Sequence, residues 1–376
     1  MSSLTARRPR PGSRHCNRSG ATANSGSSGS KCRRRTPTTA NSAPFILPRR
    51  PDNRRYTPKK GVTMTSKTPI ELTTSVANLN ALRASDLGPY HAVYLGNIYC
   101  RLYERNFLES PEDLKTAIEM LHDAGKKAYV STYAAPLTPD LDQVRRVLDA
   151  AVTFGADAVE VHNLGVLRIA AREFPSLRIH MGVFANVYTD LTAQKFVELG
   201  AARITPNYEV SLAEIDLMAG RVPAEFEILL HGKMPLGVSE SCFLLTGAGP
   251  LRLSCPEACQ EDYFLQYQDW ELKSLGKGVT SGRDVCMLEH IPSLLEKGYR
   301  VFRIETVSES PAYQFEVGRV YAEAIAQAQS GDWQIKGEWW NILRPHARHG
   351  FCNGFYFGRS GRLYIGANGA GMSPGA

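Results

Sequence analysis

Cysteine is the residue type of this 376-residue chain with the most distinctive chemistry, and it occurs eight times. Cys242, Cys255 and Cys259 lie in SESCFLLTGAGPLRLSCPEACQ with C-x₁₂-C-x₃-C spacing, in a loop whose glycines and prolines let it wrap a small object. Thiolates are soft ligands that suit an iron–sulfur cluster or a tetrahedral zinc. Zinc sites more often show two close cysteine pairs, whereas this loop has one. The alternative for any single cysteine is a buried core thiol.

The elements that must position these thiols are short strands alternating with helical patterns from residue 70 onward. Eight strands are predicted: IELTT (70–74), HAVYLG (91–96), KAYVST (127–132), DAVEVH (157–162), RIHMGVF (178–184), ARITPN (202–207), FEILLHG (226–232) and YRVFRIE (299–305). Eight alternations over about 240 residues are typical of a (β/α)₈ barrel, so we predict an α/β fold of the TIM-barrel type. A doubly wound sheet is the alternative, but no G-x-G-x-x-G follows the first strand.

The barrel pattern is interrupted between its seventh and eighth strands by roughly 66 residues, where a simple unit needs about 25. This insertion follows the carboxyl end of a strand, the face on which such barrels build their sites. It carries Cys242, Cys255, Cys259 and Cys286. Cys100 follows the second strand and therefore faces the same end. We expect Cys100, Cys242, Cys255 and Cys259 to converge there.

Other residues at strand ends could also do chemistry. Glu305 ends the eighth strand, where it could act on a substrate or hold Arg303 in a structural pair. His231 ends the seventh strand beside the cysteine loop; it could donate a proton or hydrogen bond to metal-bound sulfur, or satisfy backbone groups in the turn. His162 and Asn163 end the fourth strand on the same face of the barrel and are weaker candidates for a functional role.

Two further clusters have both a functional and a structural interpretation. Arg283, Asp284 and His290 surround Cys286 and could bind an anionic donor, or be solvated loop charges. The carboxyl-terminal stretch could stack RNA bases or pack against the barrel. It interleaves Trp339, Trp340, Phe351, Phe355, Tyr356 and Phe357 with Arg344, Arg348 and His349.

The net charge of +7 is unevenly distributed. Residues 1–63 contain 15 of the 44 basic residues and one acid, Asp52, which leaves 29 basic and 36 acidic residues, a balance of −7, in the remainder. This Ser-, Arg- and Pro-rich leader is predicted to be disordered. It could be a transit peptide, but we favour a natural start at Met64. The predicted organisation is therefore a leader (1–63), a barrel (64–330) and an aromatic, basic extension (331–376).

Hydropathy and cysteine usage indicate the cellular setting. No run reaches the roughly 18 apolar residues that span a bilayer, so we expect no transmembrane segment. The cysteines are not arranged as a disulfide scaffold, and we expect a cytoplasmic protein.

The segment from about 70 to 330 resembles the collagenase-like peptidase family U-32. The resemblance is carried by FEILLHG with the glycine-rich loop and Cys242 after it, by LSCPEAC, and by SGRDVCMLEHIPSLLEKGYRVFRIE. RHGFCNGFYFG near the carboxyl terminus is also similar to the ends of family members.

Within the family, the cysteine layout is most similar to an iron–sulfur protein of ubiquinone biosynthesis. The resemblance implies a [4Fe–4S] cluster with Cys100, Cys242, Cys255 and Cys259 as ligands. A sister protein places one ligand where this chain has Pro235 and another at the position of Cys286. The resemblance therefore leaves Cys286 open as a replacement for Cys100.

The resemblance implies an oxygen-independent hydroxylase component that acts on a small aromatic quinone precursor, in a heteromer with a second family member. Prephenate is the hydroxyl donor implied for several relatives. Hydroxylation of tRNA or rRNA, collagenase-like peptidase activity and a cluster-bearing scaffold subunit remain alternatives. The peptidase motif H-E-x-x-H does not occur in the sequence, and G-x-S-x-G occurs only as GMSPG at 371–375, beyond the predicted barrel.

Overall fold

The structure is a computed structural model that describes residues 69–103, 106–246, 259, 261–268, 270–359, 361–367 and 371–372. The predicted leader, residues 1–63, lies outside the described residues, as does Cys255.

Parallel strands make up most of the sheet. Seven come first along the chain: β1 Glu71–Val76, β2 Ala92–Leu95, β3 Lys127–Ser131, β4 Ala158–Val161, β5 Ile179–Met181, β6 Ala201–Ile204 and β7 Glu225–Val238. The insertion then contributes β8 Tyr263–Tyr267, β9 Trp270–Ser274 and β10 Gly278–Cys286, and the eighth parallel strand is β11 Val301–Ile304. All eight predicted barrel strands are confirmed.

The eight parallel strands close into a barrel. Each of β1 to β7 pairs with the next, and β11 pairs with both β1 and β7. Val301 of β11 thus lies opposite Glu71 on one side and Glu227 on the other. The predicted (β/α)₈ fold is confirmed, and β4 lies four strands from β11 in either direction, across the barrel.

Helices cover the outside of the barrel. They are α1 Leu79–Ala84, α2 Pro111–Asp123, α3 Leu141–Thr153, α4 Leu164–Glu173, α5 Asp190–Glu198, α6 Leu212–Ala219, α7 Phe243–Thr246, α8 Ile291–Glu296, α9 Pro311–Ser330 and α10 Gly337–Leu343. Local signals set their ends: Ser211 and Glu214 form a capping box at α6, and Gly331 ends α9 at φ +85°. Among the described residues, no helix is long and apolar enough to cross a membrane.

Alternation along the strands separates an apolar layer from a polar interior. On β4, Val159 and Val161 join the core under the helices, while Ala158 packs with the interior tyrosines of β2 and β3. Glu160 lies on the same face as Ala158 and is fully buried. The barrel therefore encloses charged side chains instead of the branched apolar layers common in this fold.

The insertion and the extension add strands to the sheet beside β7. Strand β10 pairs antiparallel with β7 and with β9, and β9 pairs with β8. In the extension, β12 Phe351–Cys352 pairs parallel with β10, and β13 Tyr364–Ile365 pairs with β14 Gly371–Met372. The extension thus adds β12 to the large sheet, while β13 and β14 form a separate two-stranded sheet.

The loop after β2 is organised by one buried amide. The Oδ1 of Asn106 accepts from the backbone N–H of Asn97 and of Leu108, and its Nδ2 donates to the carbonyls of Asn97 and Cys100. Asn106 is fully buried. Its four bonds fix the backbone that carries Cys100.

We expect Asn106→Ala to lower the free energy of unfolding by about 2–4 kcal/mol, because buried backbone groups lose their partners. Urea denaturation would measure the change. The matched control is Asn207→Ala in the partly exposed loop after β6, with an expected loss below about 1 kcal/mol. Equal losses for the two variants would contradict this account of the loop.

Candidate functional site

One arginine organises the interior of the barrel near its carboxyl-terminal end. The Nη1 of Arg303, on β11, lies 2.6 Å from Glu160 Oε1 and 3.4 Å from Glu227 Oε2. Its Nε lies 3.2 Å from Glu305 Oε2, although without hydrogen-bond geometry. Its guanidinium also lies over the ring of Tyr94, 4.5 Å from the centroid. One buried cation therefore serves three carboxylates.

A second arginine forms a similar group nearer the amino-terminal end. The Nη1 of Arg203 is 2.8 Å from Glu71 Oε1, and its Nε is 3.0 Å from Glu225 Oε2. Glu227 connects the two groups, because its Oε1 lies 4.0 Å from Arg203 Nη1 and its Oε2 lies 3.4 Å from Arg303 Nη1. The interior is a continuous ionic network in which removal of one member leaves a buried charge unpaired.

The pKa values of the two glutamates beside Arg303 shift in opposite directions. Burial alone would raise the pKa of Glu160, but the charge of the Arg303 guanidinium holds it well below its ordinary range. Burial raises the pKa of Glu305 above its ordinary value, despite the attraction of Arg303. Glu305 is therefore the carboxyl of this group best suited to hold a proton.

Aromatic and imidazole side chains surround this group at the carboxyl-terminal mouth. The ring of Phe184 lies 5.9 Å from His162 and 5.6 Å from Tyr99, centroid to centroid. Tyr208 lies within electrostatic reach of Arg303 and Glu305. We define the mouth as His162, Tyr208, Arg303 and Glu305, with Phe184 and Tyr99 as its walls.

Two of the predicted ligand cysteines meet at one glycine. Gly276, in the turn between β9 and β10, has φ +76°, and a Cβ there would lie 2.9 Å from Cys242 Sγ and 3.7 Å from Cys259 Cβ. Only glycine leaves room for both cysteines at this turn. The structure thus brings Cys242 and Cys259 together.

Cys100 lies on the segment that packs against the same turn. Its neighbour Tyr99 fills the space over Gly278, where a Cβ would lie 2.3 Å from Tyr99 Cδ1, and packs with Leu275. Tyr99 and Arg101 also line one small pocket together with Ser239 and Glu240, just before Cys242. The three described ligand candidates therefore flank the turn from Leu275 to Gly278.

These thiols have the donor chemistry that iron and zinc require. Among residues 69–103, 106–246 and the described parts of 259–372, however, no three His, Cys, Asp or Glu side chains are gathered closely enough to hold a metal. Cys255 falls outside those ranges. The described cysteines have the chemistry of metal ligands, and Cys242 and Cys259 lie at one turn, but they do not form a three-ligand site with Cys100 in the part of the chain that the structure describes.

Cys286 lies at the other end of the insertion. It pairs with His231 in the β7–β10 ladder, whereas Gly278, at the start of β10, pairs with Val238. The strand rise separates Cys286 from the Gly276 turn by roughly 25 Å. Cys286 is fully buried, accepts a bond from the Tyr321 hydroxyl at 3.5 Å, and has a pKa raised to about 12 by burial. It cannot share a cluster with Cys242 and Cys259 in this conformation.

His231 packs outside the barrel interior. Its Nδ1 lies 3.1 Å from the Tyr321 hydroxyl, and its ring contacts Tyr313, Tyr321 and Phe351. Burial lowers its pKa to about 3, so the imidazole is neutral in the folded protein. The contacts described for His231 are with α9 and the extension; its predicted action on metal-bound sulfur stays a prediction.

The remaining candidates make contacts within the protein. Asp284 binds Lys233 at 3.2 Å and the Tyr313 hydroxyl at 2.8 Å. Arg283 Nη1 donates to the carbonyl of Arg362, and His290 Nε2 lies 2.9 Å from the carbonyl of Ile365.

The aromatic residues of the extension are mostly buried or half-buried. Trp339 and Tyr356 are buried, whereas Phe357 is 36% exposed.

Asn163, at the end of the fourth strand, caps α4: its side chain accepts from the backbone N–H groups of Gly165 and Val166.

Sequence reasoning missed several residues of the mouth. Glu160, Glu227, Tyr208 and Phe184 received no assignment, although charged residues at alternate positions of strand-like runs could have indicated an ionic barrel interior. Phe184 and Tyr208 follow strands β5 and β6, the positions at which this fold places site residues.

The fold and the position of the cysteines define a class: a (β/α)₈ barrel whose long insertion after the seventh strand brings thiols to its carboxyl-terminal mouth. The model of Peptidase family U32 matches residues 78–365, and the chain belongs to this family.

The chain is similar to several known proteins. An uncharacterized protease of Methanocaldococcus jannaschii is 32% identical, over 77% of this chain and 73% of its own length. The tRNA hydroxylation protein P of Escherichia coli is 24% identical, over 76% of this chain and 74% of its own. The solved structure of the U32 peptidase Mk0906 aligns with a TM-score of 0.36 at 17% identity, over 45% of this chain and 72% of that one.

We expect the neutral, buried His231 to make stability depend on pH. Because its folded pKa is depressed, its contribution is complete above pH 6.5 and falls as the unfolded chain takes up the proton. The loss between pH 7.5 and 5.5 is about 1.4 kcal/mol. Urea denaturation at the two pH values should show that loss for the wild type in excess of His231→Phe. His122→Gln, at an exposed site, should behave as the wild type, and parallel curves for wild type and His231→Phe would refute the assignment.

Proposed function

We propose that this protein is an oxygen-independent hydroxylase of RNA that carries a [4Fe–4S] cluster at the carboxyl-terminal mouth of its barrel. The observation that carries the proposal is the meeting of Cys242 and Cys259 at Gly276, beside the segment that holds Cys100. The RNA substrate is supported by the family relationship to a tRNA hydroxylation protein.

The ligands in this proposal are Cys100, Cys242, Cys255 and Cys259. A bound iron–sulfur cluster supplies one-electron transfer. The chain's own residues would do the rest: the Arg303 network holds the interior rigid, Phe184 and Tyr99 wall the mouth, and Glu305 holds a proton beside the reacting group.

Hydroxylation of a small aromatic quinone precursor is the second candidate. The sequence observation in its favour is the C-x₁₂-C-x₃-C spacing, which is most similar to that of an iron–sulfur protein of ubiquinone biosynthesis. For this second candidate we also expect a partner: a second family member, with which the protein would form a heteromer. The two candidates share the cluster and differ in the substrate.

Peptidase activity is less well supported, although relatives bear the names protease and collagenase. A serine nucleophile requires a base within hydrogen-bond reach. Of the serines at the mouth, Ser131 donates to Glu160 at 2.8 Å, and Ser75 approaches Glu305 at 3.4 Å. Both carboxylates are already committed to Arg303.

We expect the full chain, purified without oxygen, to contain about four irons per molecule. Cys242→Ala and Cys100→Ala should lose most of this iron, because each removes a ligand. Cys286→Ala and Cys352→Ala are the matched controls and should retain it, since both thiols lie in the core. Iron analysis and absorption spectroscopy would check this; zinc in place of iron, or iron loss in Cys286→Ala but not in Cys100→Ala, would overturn the ligand assignment.

Deletion of the gene in its host, grown without oxygen, should remove a hydroxylated nucleoside from tRNA or rRNA. Mass spectrometry of digested RNA and of extracted quinones would be measured in the same cultures. Wild-type and Cys352→Ala genes should restore the nucleoside, and Cys242→Ala should not. Loss of quinone with unchanged nucleosides would establish the second candidate, and unchanged levels of both would reject hydroxylation.

A further inference from the structure

The strand β8 forms the outer edge of the large sheet. It pairs with β9, and no other strand among the described residues pairs with it. An edge strand carries unpaired backbone N–H and C=O groups, which proteins usually protect with charged residues, proline, a bulge or a covering segment. The sequence of β8, YFLQY, contains neither a charge nor a proline. This edge is therefore suited to pairing with another strand.

Apolar side chains cover one face of the β8–β9 hairpin. Alternation places Tyr263, Leu265 and Tyr267 on one face of β8, where they are 43%, 56% and 60% exposed. Trp270 of β9 lies opposite Tyr267, with the ring centroids 6.2 Å apart, and is 36% exposed. These four residues form the apolar face of the hairpin. Contiguous exposed apolar patches mark interaction surfaces, and tyrosine and tryptophan are enriched at the core of interfaces.

The other face of the hairpin packs against the extension. The ring of Phe264 lies 4.6 Å from that of His349, centroid to centroid, and the guanidinium of Arg348 lies 4.9 Å from the Phe264 centroid. On β9, Glu271 and Lys273 share this face and are buried. The protein's own residues thus hold the hairpin on this side, whereas the apolar face on the other side is exposed.

The strand β8 is complementary to a second copy of itself. Leu265 is its central residue, and a tyrosine lies two positions away on each side. When two copies pair antiparallel around a twofold axis at Leu265, Tyr263 of one copy lies opposite Tyr267 of the other, on the same face. No like charges oppose each other along the strand, and Asp262 lies opposite the uncharged Gln268. An isologous interface requires this self-complementarity.

The exposed area of the apolar face fits a reversible association. An aromatic side chain has about 150–250 Å² to bury, so the exposed parts of the four side chains present roughly 400 Å² in total. A standard interface buries about 800 Å² per partner, so the apolar face supplies at most about half of that area. Backbone hydrogen bonds between the paired edges contribute as well. We therefore expect an equilibrium between monomer and dimer in the micromolar range.

We propose that two copies of this chain associate through β8, which pairs antiparallel with β8 of the second copy around a twofold axis at Leu265. The pairing joins the β8, β9 and β10 strands of both copies into one continuous sheet and leaves neither β8 as an edge. The interface goes beyond the proposed function and does not depend on it, since no residue of the mouth belongs to it.

Sedimentation velocity of the full chain, purified without oxygen, tests the association between about 1 and about 100 µM. We expect the wild type to shift from monomer to dimer across this range, with and without ribonuclease. Leu265→Lys should weaken the dimer at least about tenfold, because it places two positive charges opposite each other at the axis. The matched control is Leu217→Lys on α6, where the leucine is 55% exposed, and it should dimerise as the wild type does.

Three results would overturn the interface. They are a monomer at every concentration, a dimer that Leu265→Lys leaves unchanged, and an association that ribonuclease abolishes, which would show that RNA joins the copies. Both lysine variants replace exposed leucines, so circular dichroism should show the wild-type fold for each. A loss of dimer in Leu265→Lys then reports on the interface and not on folding.

A cysteine variant tests the twofold register. Opposite Cα atoms of an antiparallel pair are about 4.5–5.5 Å apart, which is within the span of a disulfide. Mild oxidation of Leu265→Cys should therefore link position 265 of the two copies, and Leu217→Cys should not link in this way. Peptide mapping by mass spectrometry distinguishes this link from disulfides of the native cysteines. A persistent dimer without the link at position 265 would overturn the proposed pairing.

Discussion

The buried guanidinium of Arg303 is the constraint on which the rest of the barrel depends. It reaches from β11 across the interior to Glu160 of β4, so one ionic contact joins opposite walls of the barrel. Three carboxylates are tolerable in a water-poor interior because this cation lies among them and Arg203 lies near Glu227. The contact between Arg303 and Glu160 also closes the lower end of the mouth. It leaves the negative charge of Glu305 less well neutralised than that of its neighbours.

The cysteine region and the ionic interior are two layers of one end of the molecule. Tyr99 connects them: its ring faces Phe184 below, and it packs against the turn next to Gly276 above. Gly232, at φ +111°, lets β7 pass close to the backbone of Glu305 before the chain continues toward the insertion. Displacement of the cysteine segment would therefore move a wall of the mouth.

The strands, their closure and the position of the insertion could be predicted from the sequence, because hydrophobic alternation and strand spacing are local signals. The rule that carboxyl ends of barrel strands share one face predicted that Cys242, Cys259 and the segment with Cys100 lie at the same end of the barrel. The separation of Cys286 from Cys242 and Cys259 could not be predicted in this way. It depends on the antiparallel pairing of β10 with β7, and β10 lies in the insertion that interrupts the barrel pattern. The roles of Glu160 and Tyr208 were not predicted from the sequence for a related reason. A charge or a hydroxyl acquires its partners only when strands that are distant in the sequence meet.

The order of the strands along the chain has a consequence for biosynthesis. Glu71 and Val301 are neighbours in the barrel but are separated by most of the folded chain, and Arg303 lies on the last barrel strand. A nascent chain on the ribosome therefore holds Glu160 and Glu227 without their cation until β11 emerges. Contacts so distant in sequence slow folding, and the unclosed sheet has an edge on which it can pair wrongly. Translation must thus pass β11 before the barrel can close, and the cysteine segment leaves the ribosome while the barrel is still open.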